Sequence, residues 1–120
     1  MKTNLWIIDD NEMMCEFLYI YFKEAYQVSI YRDAELALKE ANNSGSPEVI
    51  QLDLNLPNFS GLEFLKAYQP TNEQENTSII VLSGNDKSAD RIECLALGAS
   101  DYLNKPFHPK ELALRIQNLA

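Results

Sequence analysis

The segment Leu5-Trp6-Ile7-Ile8-Asp9-Asp10 gives the clearest indication of the fold class. Its four consecutive apolar residues show no polar alternation, which predicts a strand buried on both faces that ends at two aspartates. Apolar residues then recur at helical spacing, at Met14, Phe17, Leu18, Tyr21, Phe22 and Ala25. We therefore predict a parallel strand followed by an amphipathic helix, with the aspartates between them.

The same alternation of strand and helix continues along the rest of the chain. Further strands are predicted at residues 28–31, 49–52, 79–82 and 100–103. Four more helices are predicted. One is capped by Asp33, and one lies near residues 62–68. Another is marked by Ile92, Leu95, Ala96 and Ala99 and ends near Gly98, and the last begins at Pro109. The polar residues 69–77 predict a mobile connection. Five strand–helix units imply one α/β domain over residues 1–120, with a parallel sheet covered by helices on both faces.

Composition excludes several classes of protein. The 46% hydrophobic and 23% charged residues are typical of a globular domain. Eighteen acidic residues against ten basic ones give a net charge of −8, which disfavours binding to nucleic acid. No apolar run approaches the roughly 20 residues of a membrane helix, and the start of the chain has no signal-peptide pattern. The two distant cysteines, Cys15 and Cys94, indicate reduced thiols, so we expect a cytoplasmic domain.

Polar side chains follow four of the predicted strands, and parallel strands place such residues at one edge of the sheet. They are Asp9, Asp10, Asp53, Ser83 and Lys105. Three carboxylates held together would raise one another's pKa unless a cation neutralised them, and Mg²⁺ prefers such oxygen ligands. A hydroxyl and an ammonium opposite them could stabilise a transferring phosphoryl group, with a carboxylate as its acceptor. Each residue alone could be a helix cap, a turn former or a solvated loop residue; their combination predicts a phosphoryl site.

The motifs that carry these residues resemble those of response regulator receiver domains of two-component signalling. They are Asp9-Asp10, Leu52-Asp53-Leu54-Asn55-Leu56-Pro57, Val81-Leu82-Ser83-Gly84 and Asp101-Tyr102-Leu103-Asn104-Lys105-Pro106. The resemblance implies a flavodoxin-like (βα)₅ fold with strand order 2-1-3-4-5. It also implies Mg²⁺-dependent phosphoryl transfer from a sensor histidine kinase or a phosphotransfer protein. No enzymatic activity is implied beyond this self-directed transfer and autodephosphorylation.

The resemblance also implies roles for single residues at the site. Asp53 matches the phosphoacceptor, and Lys105 matches the lysine that contacts the phosphate. The peptide bond between Lys105 and Pro106 matches one that is usually cis in this family. The Mg²⁺ ligands are implied to be Asp10, Asp53 and the backbone carbonyl of Asn55, with Asp9 acting through water. Ser83 matches the switch hydroxyl and Tyr102 the aromatic rotamer switch. Asn55 and Asn85 would flank the water that hydrolyses the phosphoaspartate, which predicts a phosphorylated form of moderate lifetime.

Residues 106–116 resemble the corresponding segment of OmpR/PhoB-type winged-helix transcription regulators. That resemblance implies a phosphorylation-enhanced homodimer through the fourth helix, the fifth strand and the fifth helix. The matching charged positions are Arg91, Asp101, Glu111 and Arg115. It further implies transcriptional output through a DNA-binding domain that this chain lacks. The alternatives are that these charges are solvated, that the chain is a stand-alone receiver acting by protein contact, or that it is a degenerate receiver working without phosphorylation.

Two other classes of protein share either the aspartyl nucleophile or the fold. This chain lacks a feature that each of these classes requires. A phosphatase of the haloacid dehalogenase type needs a second aspartate two residues after the nucleophile as general acid, and this position is Asn55. A flavodoxin-like electron carrier needs a phosphate-binding loop after the first strand, where this chain has Asp-Asp-Asn-Glu at residues 9–12. These acidic side chains would repel a flavin phosphate.

Overall fold

A computed structural model of the chain describes residues 2–68, 76–84 and 88–120. Strands and helices alternate within these ranges. In chain order they are β1 (Thr3–Ile8), α1 (Glu12–Phe22), β2 (Tyr26–Tyr31), α2 (Ala34–Ser44), β3 (Val49–Asp53), α3 (Gly61–Ala67), β4 (Ser78–Ser83), α4 (Ser88–Ala96), β5 (Asp101–Asn104) and α5 (Pro109–Leu119). Each predicted element is present, and the strand limits differ from prediction by at most two residues. The predicted connection at residues 69–77 lies outside the described residues, except for Asn76 and Thr77.

All strand pairs are parallel, and the sheet order is β2-β1-β3-β4-β5, which confirms the predicted (βα)₅ topology. The order reverses at β1, because β2 pairs on one side of it and β3 on the other. Ile8 of β1 is in register with Leu52 of β3. The residues that come next, Asp9 and Asp53, therefore lie side by side at the switch point, where doubly wound folds bind ligands.

The sheet separates two apolar layers, as continuous apolar strands require. On one face, β1 residues Trp6 and Ile8 pack in a cluster with residues of α2, α3 and α4. On the other face, Leu5 and Ile7 pack with residues of α1 and α5. Burial on both faces explains the uninterrupted apolar runs at residues 5–8 of β1 and 79–82 of β4.

The predicted apolar face of α1 is only half correct. The helix buries Cys15, Leu18 and Phe22, whereas Phe17 and Tyr21 are 45% and 43% exposed. The physical reason is that α1 is apolar on more than one side, so periodicity could not decide which stripe faces the sheet. The rings of Phe17 and Tyr21 contact each other on the exposed side, with centroids 5.9 Å apart.

The helix α4 is present as predicted, but the residues that marked it in the sequence, Ile92, Leu95 and Ala96, are not the ones it buries. Cys94 is the buried residue of this helix, and Ile92 and Leu95 are 65% and 45% exposed. Ala99 is buried, as expected, but it lies beyond the helix, after Gly98 with its positive φ of 105°. The helix therefore contacts the sheet through a narrow stripe and leaves large aliphatic side chains in water.

Local capping explains where three helices begin. Asp33 accepts a hydrogen bond from the Glu35 amide and caps α2, as predicted. Pro109 stands in the first turn of α5, also as predicted, and the His108 side chain caps this helix. Ser60 caps α3 and forms a reciprocal capping box with Glu63.

One buried polar residue interrupts the apolar layers. Gln51 in β3 is 1% exposed, and its Oε1 has no hydrogen-bond partner among the described residues. A buried amide oxygen without a partner costs about 1–3 kcal/mol of stability. Nothing in the structure explains why glutamine stands at this position.

Candidate functional site

The carboxyl ends of β1 and β3 bring three carboxylates together. One side-chain oxygen each from Asp9, Asp10 and Asp53 lies within 4.8 Å of the others. Asp9 is fully buried, Asp53 is 4% exposed, and Asp10 is half-buried. The strand-end rule thus placed these residues correctly, because the strands that carry them are neighbours in the sheet.

Asp9 is the most deeply buried member of this acidic cluster. Its Oδ1 accepts a hydrogen bond from the Asn11 amide at 2.9 Å, while its Oδ2 has no hydrogen-bond partner among the described residues. Burial raises the pKa of the Asp9 carboxyl, and the charge of Asp53 raises it further. The Asn11 hydrogen bond and the charge of Lys105 oppose this change in pKa.

Lys105 supplies the positive charge opposite the carboxylates. Its Nζ lies 3.2 Å from Asp53 Oδ2 and 3.8 Å from Asp9 Oδ2, and its side chain is 26% exposed. The residue directly follows β5, and its amide donates to the Ser83 carbonyl at 2.7 Å. The Lys105–Pro106 peptide bond is cis, which confirms the prediction for this bond.

The other predicted site residues that the structure describes differ in their burial. Ser83 is fully buried at the end of β4, and Tyr102 is half-buried in β5. The Asn55 amide donates to Asp53 Oδ1 at 3.2 Å, while the Asn55 side chain is exposed. Asn85 lies outside the described residues. The roles of these residues as ligand, switch and water gate stay predictions.

The loop after β3 depends on a glycine at the start of α3. A Cβ on Gly61 would lie 2.5 Å from the Asp53 carbonyl oxygen and 2.8 Å from Leu54 Cα, both of them backbone atoms. The Gly61 amide also donates to the Leu54 carbonyl at 3.1 Å. The close contact of α3 with the end of β3 therefore needs a residue without a side chain.

Two residues that the sequence analysis did not select hold the backbone of the Asp9-Asp10 turn. Arg32 Nη2 donates to the Asp10 carbonyl oxygen at 3.1 Å, and Cys15 Sγ donates to the Asp9 carbonyl oxygen at 3.2 Å. Burial raises the pKa of the Cys15 thiol to about 11, so this thiol keeps its proton near neutral pH. Arg32 directly follows β2, and the same strand-end rule would have found it.

The donor set of the acidic cluster fits a small hard cation. The three clustered side-chain oxygens are all carboxylate oxygens, which Mg²⁺ prefers over nitrogen and sulfur. Asp9 Oδ2 is a buried oxygen without a hydrogen-bond partner among the described residues, and a cation or its water shell would satisfy it.

The predicted dimer-face charges are largely paired within the chain. Arg115 Nη1 lies 2.9 Å from both carboxylate oxygens of Asp101, and its Nη2 lies 3.2 Å from Glu111 Oε2. Arg91 is exposed on α4 and forms no ion pair with any described residue. The structure thus brings three of the four charges together and leaves Arg91 apart.

Comparison with known proteins gives one consistent family. Residues 5–117 match the model of the response regulator receiver domain. The alkaline phosphatase synthesis transcriptional regulatory protein PhoP of Bacillus subtilis is 34% identical over 98% of this chain and 48% of its own length. The response regulator SaeR of Staphylococcus epidermidis is 36% identical over 98% of this chain and 50% of its own length. The chain therefore spans about half the length of these relatives.

Solved structures agree with this match. The chemotaxis protein CheY4 of Vibrio cholerae has a TM-score of 0.88 and 27% identity, with 100% of both chains covered. In the part of the chain that the structure describes, no helix is long and apolar enough to cross a membrane.

Proposed function

Because this chain belongs to the response regulator receiver domain family, we propose that Asp53 accepts a phosphoryl group and that this event changes the surface formed by α4, β5 and α5. The observation that carries the proposal is the buried Asp53 carboxylate, 3.2 Å from the Lys105 ammonium and beside the carboxylates of Asp9 and Asp10. One nucleophile, one fixed positive charge and an oxygen-rich cation site form the set of groups that phosphoryl transfer requires.

In the proposed transfer, a carboxylate oxygen of Asp53 attacks the phosphorus atom of a phosphorylated donor. The new P–O bond forms while the bond from phosphorus to the donor's imidazole nitrogen breaks, and the imidazole then takes up a proton from water. Asp10, Asp53 and the Asn55 carbonyl would hold Mg²⁺, with Asp9 acting through a water molecule. When bound, Mg²⁺ neutralises negative charge on the phosphoryl oxygens.

Lys105 and Ser83 would bind the phosphoryl oxygens after transfer. Lys105 Nζ already contacts Asp53, so it would move only slightly to pair with an added phosphoryl oxygen. Ser83 lies buried at the end of β4, where the Ser83 carbonyl also accepts the Lys105 amide. The domain would act only on its own carboxylate, including the later hydrolysis of the phosphoaspartate.

The donor is a sensor histidine kinase or a phosphotransfer protein, and an apolar groove beside the site offers it a contact. The groove has a volume of about 390 Å³ and is lined by Met14, Phe17, Lys105, Pro106, Phe107 and Pro109. Lys105 belongs both to this groove and to the acidic site. A protein that delivers its phosphoryl group to Asp53 would therefore cover these apolar side chains.

The first test is phosphorylation by a small donor. We expect acetyl phosphate with Mg²⁺ to add one phosphoryl group to the wild-type domain, as measured by intact-protein mass spectrometry. EDTA or the substitution Asp53→Asn should abolish the added mass, because each removes a required group. Substitution of the exposed Asp33→Asn, which keeps a capping side chain on α2, is the control and should be labelled like the wild type. Full labelling of Asp53→Asn would overturn the proposal.

The switch would run from Ser83 to Tyr102. A phosphoryl group on Asp53 would draw the Ser83 hydroxyl toward it and leave space into which the half-buried Tyr102 ring can turn. Two discrete rotamers of this ring would give the surface of α4, β5 and α5 two discrete states.

The signal output would be a symmetric dimer through this surface. In the single chain, Nη1 and Nη2 of Arg115 pair with Asp101 and Glu111, so dimerisation would exchange ion pairs within a chain for ion pairs between chains. Exposed ion pairs contribute only about 0–1 kcal/mol each. The exposed side chains Ile92, Leu95 and Leu114 would therefore supply much of the affinity, and the charges would fix the register.

Beryllofluoride, a phosphoryl mimic, is expected to raise the mass of the Mg²⁺-bound domain in analytical ultracentrifugation. Arg115→Glu should stay monomeric because the reversed charge repels the acidic partners of Arg115. Ser83→Ala should stay monomeric because it lacks the hydroxyl that would move toward the phosphoryl mimic. The control Lys39→Glu changes an equal charge on α2 and should dimerise like the wild type. A wild-type domain that stays monomeric at high concentration would contradict the dimer and favour a stand-alone receiver.

For the protein that contains this domain, we propose transcriptional output in the cytoplasm. The support is that PhoP, with 34% identity, is named as a transcriptional regulatory protein. The chain's net charge of −8 disfavours direct binding to DNA, so a separate DNA-binding domain would make that contact.

A further inference from the structure

We propose that Arg32 is a positioning residue that holds the Asp9-Asp10 turn in the geometry that a divalent cation needs. This inference rests on the proposed function, since it concerns the same site. The observation behind it is the 3.1 Å hydrogen bond from Arg32 Nη2 to the Asp10 carbonyl oxygen. Arg32 would act through the backbone of Asp10, and it is not one of the expected ligands.

The turn is held from both sides by groups outside it. On the β2 side, the Asp9 amide donates to the Tyr31 carbonyl at 3.0 Å, and the next residue, Arg32, bonds the Asp10 carbonyl. On the α1 side, Cys15 Sγ bonds the Asp9 carbonyl. Both carbonyl groups of the acidic pair are therefore fixed, which limits the backbone rotations that could move the side chains.

Electrostatic repulsion makes this restraint necessary. Asp9 and Asp10 are adjacent carboxylates, and Asp53 adds a third within 4.8 Å. Asp10 is the most exposed of the three, so repulsion favours its rotation toward water when no cation is present. A fixed Asp10 backbone limits the positions that this carboxylate can reach and so keeps the ligand set preorganised, as outer-shell hydrogen bonds do in metal sites.

The direction in which Mg²⁺ affinity changes when Arg32 is replaced distinguishes a positioning role from a simple charge effect. A guanidinium near a cation site repels the cation, so loss of the Arg32 charge alone should strengthen Mg²⁺ binding. Loss of the hydrogen bond should instead weaken Mg²⁺ binding, because the free ligand set becomes disordered. The two explanations thus predict opposite changes in the dissociation constant.

The test is isothermal titration of Mg²⁺ into the unphosphorylated domain. We expect Arg32→Met to raise the dissociation constant about tenfold, at the low end of the range for outer-shell residues. Arg32→Lys keeps one donor of similar reach and should recover part of the loss. Lys39→Met removes an exposed positive charge from α2 and should bind Mg²⁺ like the wild type. Because Arg32 is exposed and the Asp33 cap remains, thermal unfolding should show every variant folded.

A second readout separates ligand positioning from general damage. The labelling rate of Arg32→Met with acetyl phosphate should fall at low Mg²⁺ and return to the wild-type rate at saturating Mg²⁺. Equal or tighter Mg²⁺ binding by Arg32→Met would overturn the positioning role and leave the proposed function standing. A wild-type domain that binds no Mg²⁺ would instead overturn the proposed function, and the positioning role with it.

Discussion

Replacement of Lys105 by methionine is expected to slow phosphorylation of Asp53 by acetyl phosphate about 100-fold at saturating Mg²⁺. In enzymes, removal of one fixed donor that stabilises developing negative charge costs about that much. Lys105 Nζ is the group placed for this role, 3.2 Å from Asp53 Oδ2. The rate is measured by timed intact-protein mass spectrometry.

The matched control for Lys105 is another lysine in an ion pair. Lys66 lies 3.8 Å from Glu93, and both side chains of this pair are largely exposed. Lys66→Met should keep the wild-type rate, because this exposed pair includes no residue of the acidic cluster. A Lys105→Met variant that is phosphorylated as fast as Lys66→Met would show that the ammonium group has no part in the reaction.

Substitution of Gly61 by alanine is expected to lower the free energy of unfolding by about 2–3 kcal/mol, the upper part of the usual range for overpacking. The added Cβ would meet the Asp53 carbonyl oxygen at 2.5 Å and Leu54 Cα at 2.8 Å, and neither backbone atom can turn aside as a side chain could. Relief of the clash requires α3 to move away from the end of β3. Urea denaturation measures the loss.

Gly84→Ala is the control for this prediction. At Gly84 the nearest atom of any described residue to a new Cβ would be the Asn55 side-chain nitrogen, 4.0 Å away, which is ordinary contact. We expect its free energy of unfolding to stay within about 0.5 kcal/mol of the wild type. Equal stabilities for the two variants would contradict the close packing of α3 on β3.

The sheet and the acidic site at its carboxyl edge could be predicted, because both follow from local sequence patterns and from the geometry of parallel strands. Apolar runs such as residues 5–8 show where strands lie, and the parallel connection brings their carboxyl ends to one edge. Asp9, Asp53 and Lys105 were therefore assigned to one site before any distance was known. The structure places Lys105 Nζ within ion-pair distance of both carboxylates, 3.8 Å from Asp9 and 3.2 Å from Asp53.

Other features could not be predicted because the sequence does not record which face a helix buries or which backbone atom a side chain reaches. The apolar periodicity that predicted α1 and α4 includes Phe17 and Ile92, although both are exposed. No sequence pattern marks Cys15, because it bonds to a carbonyl group, which every residue has. Arg32 also bonds to a carbonyl group, but it directly follows β2, so the strand-end rule could have found it. The Glu111–Arg115 ion pair can be predicted from its i, i+4 spacing on α5. The Asp101–Arg115 contact joins β5 to α5, so no local spacing predicts it.

The most direct test of the central claim is to locate the phosphoryl group among the three neighbouring carboxylates. The domain is phosphorylated with acetyl phosphate and Mg²⁺, the acyl phosphate is reduced with sodium borohydride, and peptides are sequenced by mass spectrometry. Reduction converts a phosphoaspartate to homoserine, which marks the acceptor permanently. Asp53 is the acceptor in our account because its Oδ2 faces the Lys105 ammonium at 3.2 Å, so we predict homoserine at position 53 alone. Homoserine at position 9 or 10, with aspartate retained at position 53, would contradict the account.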